Sequence, residues 1–344
     1  MSAPVSIKEV AARAGVSVGT VSNVLNRPDI VAQSTRRKVN AAIKALGFVR
    51  NESARQLRAG RSRTIGLVVL DVANPFFTDV ARGVEDEASA SGLAVILCSS
   101  DELPQKQDRY LELLAEHRVQ GVLITPVGEV DEVGEQLAGL QRRGIPVILV
   151  DARSPSGGQC SVAVDDVLGG DLAMSHLLEA GHERIAYIGG PLALRQVSDR
   201  RDGATKALER AGRSAGQMQI IQTAAPNVAA GRQAGETIGA LPARERPTAV
   251  FCANDLIALG LLQAMTRLGL RVPEDVAIVG YDDIEFAAAA AVPLSSVRQP
   301  RHQLGRTAAQ LLIEEAAETG THEHRQVIFE PELEVRRSSA IGSA

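Results

Sequence analysis

The chain has 344 residues, of which 45% are hydrophobic and 23% charged, with a formal net charge of −4. This balance excludes a disordered or collagen-like chain, and the length favours two or three folding units. No stretch approaches the roughly eighteen consecutive apolar residues of a membrane span, and the first residues have no apolar signal core, so a cytoplasmic protein with no membrane partner is expected. Cys98, Cys160 and Cys252 lie far apart beside apolar runs and read as buried, reduced thiols. Charge is uneven along the chain. Residues 1–63 carry 12 Lys and Arg against 3 Asp and Glu, a net of +9, whereas the remainder carries 25 against 38, a net of −13. The first sixty residues therefore face a different partner from the rest.

Ser6-Ile7-Lys8-Glu9 has the spacing of a capping box and predicts a helix start. Ile7, Val10, Ala11 and Ala14 form one apolar stripe, which Gly15 ends because a sharp turn needs a residue tolerant of positive φ. Ser17 is placed to cap a second helix with Val21, Val24 and Leu25 inward. Ser34 or Thr35 is expected to cap a third carrying Val39, Ile43 and Leu46, stopped by Gly47. Two short helices around a glycine turn, within a basic segment, point to a helix-turn-helix that enters the major groove of double-stranded DNA. Ser17, Val18, Gly19, Thr20 and Asn23 would then reach base edges. Val18 suits a thymine methyl, and the amide of Asn23 suits adenine. Phosphate contacts are expected from Ser6, Thr20, Asn26 and Thr35.

The segments "SIKEVAARAGVSVGTVSNVLN" and "TRRKVNAAIKALGFVRNESARQLRAGRSRTIG" resemble the headpiece of the LacI/GalR family of bacterial repressors. The resemblance implies a hinge helix over Asn51 to Arg58, in which Leu57 of each subunit wedges into the minor groove at the operator centre. Ala54 lies on the same face, and Arg55 and Arg58 lie near phosphates. The expected organisation is a headpiece at 1–48, a hinge and linker at 49–62, and an effector-binding and dimerisation domain at 63–344.

Beyond Arg63, Val/Ile/Leu-rich runs alternate with helical stretches, as in parallel sheets covered on both faces. Strands are predicted at Ile65–Leu70, Ala94–Cys98, Gly121–Ile124, Val147–Val150, Ser161–Val164, Ile185–Ile188, Ala249–Cys252 and Val276–Val279, with a last one at Val327–Glu334. So many strands overfill one sheet, and two similar lobes are the natural solution. The resemblance continues through "NPFF", "GHERIAYIGGP", "RRDG", "FCANDLIALG", "VAIVGYDD" and "PLSSVRQ". The expected fold class is α/β: an N-terminal all-α helix-turn-helix headpiece plus a two-lobed, periplasmic-binding-protein-like domain of doubly wound parallel sheets. The first lobe is expected at about 63–160 and 298–325, and the second at about 161–297 and 326–340.

Ligands of open α/β sheets sit beyond the carboxyl ends of strands. Asn74, Phe76, Asp151, Asn254 and Asp282 stand just past predicted strand ends, and Arg200 begins the helix after "YIGGP". The resemblance implies that these positions line the cleft between lobes, and Arg301 is added to them. Arg195 and Arg301, with no Trp in the chain and Pro226-Asn227 where sugar-binding relatives often carry an aromatic, allow an anionic effector such as a sugar acid or sugar phosphate. Asp165 reads as a helix cap, His182 as a satisfied loop residue, and His322 and His324 as solvated surface rather than metal ligands. No nucleotide-binding, zinc-protease or nucleophile-elbow motif is present, so no catalytic residue, metal or cofactor is expected. No leucine heptad follows the last strand, which favours a homodimer over a tetramer. The sequence reads as a DNA-binding transcriptional regulator, a repressor of a pseudo-palindromic operator, controlled by a small polar effector that is a sugar or sugar derivative.

Overall fold

The computed structural model describes residues 5–48, 62–128, 133–318 and 322–340. The chain divides into two compact units, Met1–Arg61 and Ser62–Ala344. In the first, α1 (Ile7–Ala14), α2 (Val18–Asn26) and α3 (Gln33–Leu46) enclose Val10, Ala11, Val21, Val24, Val39 and Ala42. Ser6 and Glu9 form the reciprocal capping box, and Gly15 closes α1 at φ 65°. The Ser17 side chain accepts from the Thr20 amide at 3.0 Å and starts α2. Neither Ser34 nor Thr35 caps α3. The helix begins at Gln33 after an extended Ala32, because the 3-10 turn Pro28–Ile30 already directs the chain into it. Gly47 ends α3 at φ 63°.

The second unit contains two six-stranded sheets. The first has the order β2 (Ala94–Ser99), β1 (Thr64–Val69), β3 (Val122–Ile124), β4 (Val147–Val150), β5 (Cys160–Val164), β11 (Gln326–Phe329), and every pair in it is parallel. The second has β7 (Met218–Gln222), β6 (Ile185–Gly189), β8 (Ala249–Cys252), β9 (Ala277–Asp282), β10 (Ser295–Arg298), β12 (Glu332–Glu334). Only β12, which pairs with β10, is antiparallel there. Among the described helices, α4 (Pro75–Ala90), α5 (Pro104–Glu116), α6 (Gly134–Arg142) and α12 (Arg301–Ala317) serve the first lobe. The second lobe has α7 (Asp166–Glu179), α8 (Arg195–Arg210), α9 (Val228–Gly239), α10 (Asp255–Arg267) and the single turn α11 (Glu285–Ala288). This is the doubly wound α/β class that the strand–helix alternation implies. None of the described helices is long and apolar enough to cross a membrane.

The lobe boundaries differ from those expected at 160/161 and 325/326. Strand β5 pairs with β4, Ile148 opposite Cys160, and so belongs to the first lobe. The predicted strand Val327–Glu334 is two strands in different sheets: β11 completes the first and β12 crosses to the second. A wholly buried apolar run such as β5 fits either of two similar sheets, and the half-exposed β11 and β12 carry still less pattern, so only hydrogen bonding to a neighbour decides which sheet each joins. Strand β10 escapes the apolar pattern because its Ser295 and Ser296 are buried as hydrogen-bonded groups; Ser296 Oγ donates to Asp255 Oδ1 at 2.7 Å.

Three helix pairs meet through glycines. A Cβ on Gly170 would lie 1.9 Å from the Arg200 carbonyl oxygen, and one on Gly203 1.9 Å from that of Val167, so α7 and α8 touch backbone to backbone. Gly231 and Gly260 play the same part between α9 and α10, and Gly83 and Gly305 between α4 and α12. Gly203→Ala is expected to lower stability by about 1–3 kcal/mol, because the helices must separate. Gly139→Ala in α6, whose Cβ would meet nothing nearer than 3.9 Å, should be neutral or stabilising. Urea unfolding of the two variants checks the contrast, and equal stabilities would refute the close-approach account.

Candidate functional site

On the first unit, α2 presents an outer face starting at its capped end. Ser17, Val18, Gly19, Asn23 and Asn26 are exposed, with Val18 41% exposed, while Val21 and Val24 are turned into the core. A Cβ on Gly19 would meet only the Ser17 hydroxyl, at 3.6 Å, so the backbone there is open to close approach. Thr20 and Thr35 are half-buried, with Thr20 Oγ1 2.9 Å from Ser17 Oγ. Ser6 is exposed, and its hydroxyl donates to Glu9 at 2.8 Å. Asn26 donates to Ser22 Oγ at 3.2 Å. Asn51, Ala54, Arg55, Leu57 and Arg58 lie outside the described residues.

The second unit holds a cleft between its two sheets, at the carboxyl ends of β1, β2, β4, β6, β8 and β9. Six of the seven expected residues line it: Asn74, Phe76, Asp151, Arg200, Asn254 and Asp282. Asn74 and Asn254 also cap helices. Asn74 Oδ1 accepts from the Phe76 amide at 3.0 Å and starts α4. Asn254 Oδ1 accepts from Ile257 at 2.9 Å and starts α10, while its amide donates to the Pro226 carbonyl at 2.9 Å. Phe76 stacks edge-on against Phe77, ring centroids 4.9 Å apart. Asp165, as expected, caps α7 by accepting from the Leu168 amide.

Arg200 is the buried centre of the cleft wall. Its Nε donates to Asp166 Oδ1 at 2.8 Å and its Nη1 to the Ala253 carbonyl at 2.8 Å. Nη1 also lies 3.7 Å from Asp282 Oδ1, and the guanidinium carbon sits 3.7 Å above the Tyr281 ring. Neither Asp199 nor Asp202 is its partner; these pair with Arg195 and Arg201. Burial alone would pull the Arg200 pKa down, but Asp166, Tyr281, Asp282 and Asp151 together raise it, so it remains charged. Across the cleft, Gln196 Nε2 donates to both the carbonyl oxygen of Asp151, at 2.8 Å, and its Oδ2, at 3.1 Å. Asp151 Oδ1 has no hydrogen-bond partner although it is buried. Asp151 and Asp282 both have left-handed backbones, φ 54° and 101°, conformations in which non-glycine residues are strained.

Arg301 does not line the cleft. Its Nε donates to Asp79 Oδ2 of α4 at 2.9 Å, and its Nη1 donates to the carbonyls of Asp282 and Asp283. It therefore ties the first lobe to the end of β9, and its charge is spent there. Arg195 likewise pairs with Asp199. Sequence reasoning missed Asp71, Glu102 and Gln196, which also line the cleft. Asp71 and Glu102 follow β1 and β2, so the rule that selected Asp151 would have found them. Glu102 is pushed up to about 7, by burial first and then by the charges of Asp71 and Asp101. The cleft thus presents four carboxyl groups, Asp71, Glu102, Asp151 and Asp282, against one arginine that is already ion-paired. The basis for an anionic effector is removed.

Asp282 carries a pH signature. Burial raises its carboxyl to about 6, against the opposing pull of Arg200 and the hydrogen bond from Gln299 Nε2 at 2.7 Å. An unfolded aspartate titrates near 3.9, so the folded state binds this proton more tightly. The stabilisation is fully present below about pH 4 and is lost as pH rises through about 6. Asp151 and Asp255 are raised in the same direction, mainly by burial. Asp282→Asn is therefore expected to flatten, without abolishing, the fall in stability between pH 4 and 6. Urea unfolding at a series of pH values measures the slope, and a wild-type slope in the variant would refute the assignment.

Comparison with known proteins gives consistent matches over both units. Residues 6–51 match the family model described as bacterial regulatory proteins, lacI family, and residues 174–339 match a periplasmic binding protein-like domain. The chain is 37% identical to the HTH-type transcriptional repressor PurR of Vibrio atlanticus (strain LGP32), over 97% of this chain and 98% of that protein. Among solved structures, the lac repressor dimer bound to operator and the anti-inducer ONPF superposes with a TM-score of 0.85 at 27% identity, covering 98% of this chain and 99% of that one. The transcriptional regulator CelR in complex with cellobiose superposes at 0.69 with 32% identity, covering 97% and 99%.

Proposed function

The chain belongs to the lacI family of bacterial regulatory proteins, and from that premise we propose that it is a DNA-binding transcriptional repressor whose hold on its operator is set by a small neutral molecule in the cleft. The observation that carries the reading is the pairing of an open helix-turn-helix face with a separate polar cleft in one chain. In the proposed complex α2 lies in the major groove. Asn23 reads a base edge, Val18 meets a thymine methyl, and Gly19 lets the backbone approach. Ser6, Thr20, Asn26 and Thr35 hold phosphates, and in the hinge at Asn51 to Arg58, Leu57 wedges into the minor groove at the centre of a two-fold site with Ala54 on the same face and Arg55 and Arg58 near phosphates. One headpiece makes few base contacts, so the working species is a homodimer on a pseudo-palindromic operator, as in the lac repressor dimer bound to operator.

Operator affinity is expected to fall steeply with salt, with a log–log slope of about −0.9 per phosphate neutralised. Leu57→Ala should weaken operator binding at least tenfold more than binding to random duplex. Fluorescence anisotropy on the two DNAs over a salt series measures both. A flat salt profile would refute the electrostatic account, and equal loss on both DNAs would refute the wedge.

The charges of the cleft select the effector. Four carboxyl groups line the cleft and its one arginine is already ion-paired, so none of its lining residues offers a free cation to an anion, and the fitting ligand is uncharged and hydrogen-bonding: the hydroxyls of a sugar or the N–H groups of a nucleobase. The bound cellobiose of CelR is a ligand of this kind. The chain has no Trp, so calorimetry and thermal shift are the suitable readouts. Screening neutral sugars and nucleobases beside their acid and phosphate counterparts should yield a neutral ligand that raises Tm and changes operator affinity. A ligand that binds only in its anionic form would overturn this assignment.

A further inference from the structure

On the edge of the first sheet opposite the cleft, where β5 and β11 begin, four side chains converge that the effector and DNA sites do not use. We propose that Cys160, Glu315, His322 and His324 form a four-ligand site for a divalent metal ion of the zinc class. One ligand atom from each lies within 4.8 Å of all the others. Cys160 Sγ is 3.2 Å from His322 Nε2 and 3.8 Å from His324 Nδ1. Glu315 Oε2 is 3.6 Å from His322 Nε2 and 3.9 Å from His324 Nδ1. Zinc holds sulfur at about 2.3 Å and imidazole nitrogen or carboxylate oxygen at about 2.0–2.2 Å, so the edges of a tetrahedron around it measure roughly 3.3–3.6 Å. Four of the separations, 3.2–3.9 Å, lie within a few tenths of an ångström of that figure.

Two further observations point to a cation. Glu315 Oε2 is buried with no hydrogen-bond partner, on a side chain only 10% exposed, an expensive arrangement for a carboxylate unless a positive charge meets it. His322 Nδ1 lies 2.7 Å from Glu318 Oε2. Its other ring nitrogen, Nε2, faces the Cys160 sulfur and Glu315 Oε2, so the three potential ligand atoms point at one shared space. This carboxylate–histidine pairing is the outer-shell arrangement that orients an imidazole for a metal. The Arg325 amide donates to Cys160 Sγ at 3.3 Å and fixes the sulfur in place. A thiolate, two imidazoles and one carboxylate suit zinc and exclude magnesium and calcium, which take all-oxygen sites.

The ligands come from the start of β5, the last turn of α12 and the chain leading into β11. The ion would staple the return of the chain into the first lobe and would not touch the cleft. His322 and His324, read from the sequence as solvated surface, are only 10% and 25% exposed, because Cys160 lies 162 residues away in the chain and only the fold brings it to them.

The test uses the full-length chain, reduced and stripped with chelator, and titrated with Co²⁺. Expected are one equivalent per chain, intense tetrahedral visible bands, and a thiolate-to-cobalt band in the near ultraviolet that zinc abolishes. Cys160→Ser should lose the thiolate band, and both Cys160→Ser and His322→Ala should bind cobalt at least tenfold more weakly. Their unfolding in chelator should match that of stripped wild type, which shows that they fold. Independently of any variant, excess zinc should raise the Tm of the wild-type chain. Absence of binding, an unmoved Tm, a weak octahedral spectrum, or undiminished affinity in both variants would each overturn the proposal.

Discussion

The second lobe depends on one buried guanidinium. Arg200 draws together Asp166 at the start of α7, the Ala253 carbonyl after β8, and Tyr281 and Asp282 at the end of β9. Removing an arginine and an aspartate from water costs several kcal/mol per ion, and only good geometry and further hydrogen bonds recover that cost. Here the fork has a carboxylate, a carbonyl and an aromatic face. The main chain of the same residue is fixed from the other side, where α7 approaches the Arg200 carbonyl so closely that position 170 has no room for a Cβ. Backbone and side chain are thus both held, and the strained aspartates on either side of the cleft are presented at defined positions.

Around this point the cleft is built for donors. Helix capping already engages Asn74 and Asn254, which shape the walls, while Asp151 Oδ1 is left buried without a hydrogen-bond partner. Gln196 bonded to Asp151 within the cleft, and Arg301 bridging Asp79 to the carbonyls of Asp282 and Asp283 beside it, both tie the lobes together. A ligand alters the balance between lobe arrangements only by the difference in its affinity for them. A thousandfold change in operator binding corresponds to about 4 kcal/mol, a sum that two clefts in a dimer would share. A few hydrogen bonds gained in one arrangement and lost in the other are of that order.

What the sequence determined by itself was local. Capping at Ser6 and Ser17, helix ends at Gly15 and Gly47, and runs such as Val147–Val150 depend on neighbours a few residues apart, so their patterns survive in one dimension. Five of the expected cleft residues were legible for the same reason: each stands just after a strand or at a helix start, and parallel sheets bring such positions to one edge, whereas Arg200, expected to begin its helix, lies more than a turn inside α8, which starts at Arg195. The tertiary structure alone decided everything that depends on partners distant in the chain. It assigned β5 and β11 to the first sheet, because hydrogen bonding and not hydrophobicity chooses between two similar edges. It took Arg301 out of the cleft by offering Asp79, which lies 222 residues away, and it brought Cys160 to His322 across 162 residues. A charged or metal-binding side chain takes its role from the groups that meet it in space, and no periodicity records a meeting of that kind.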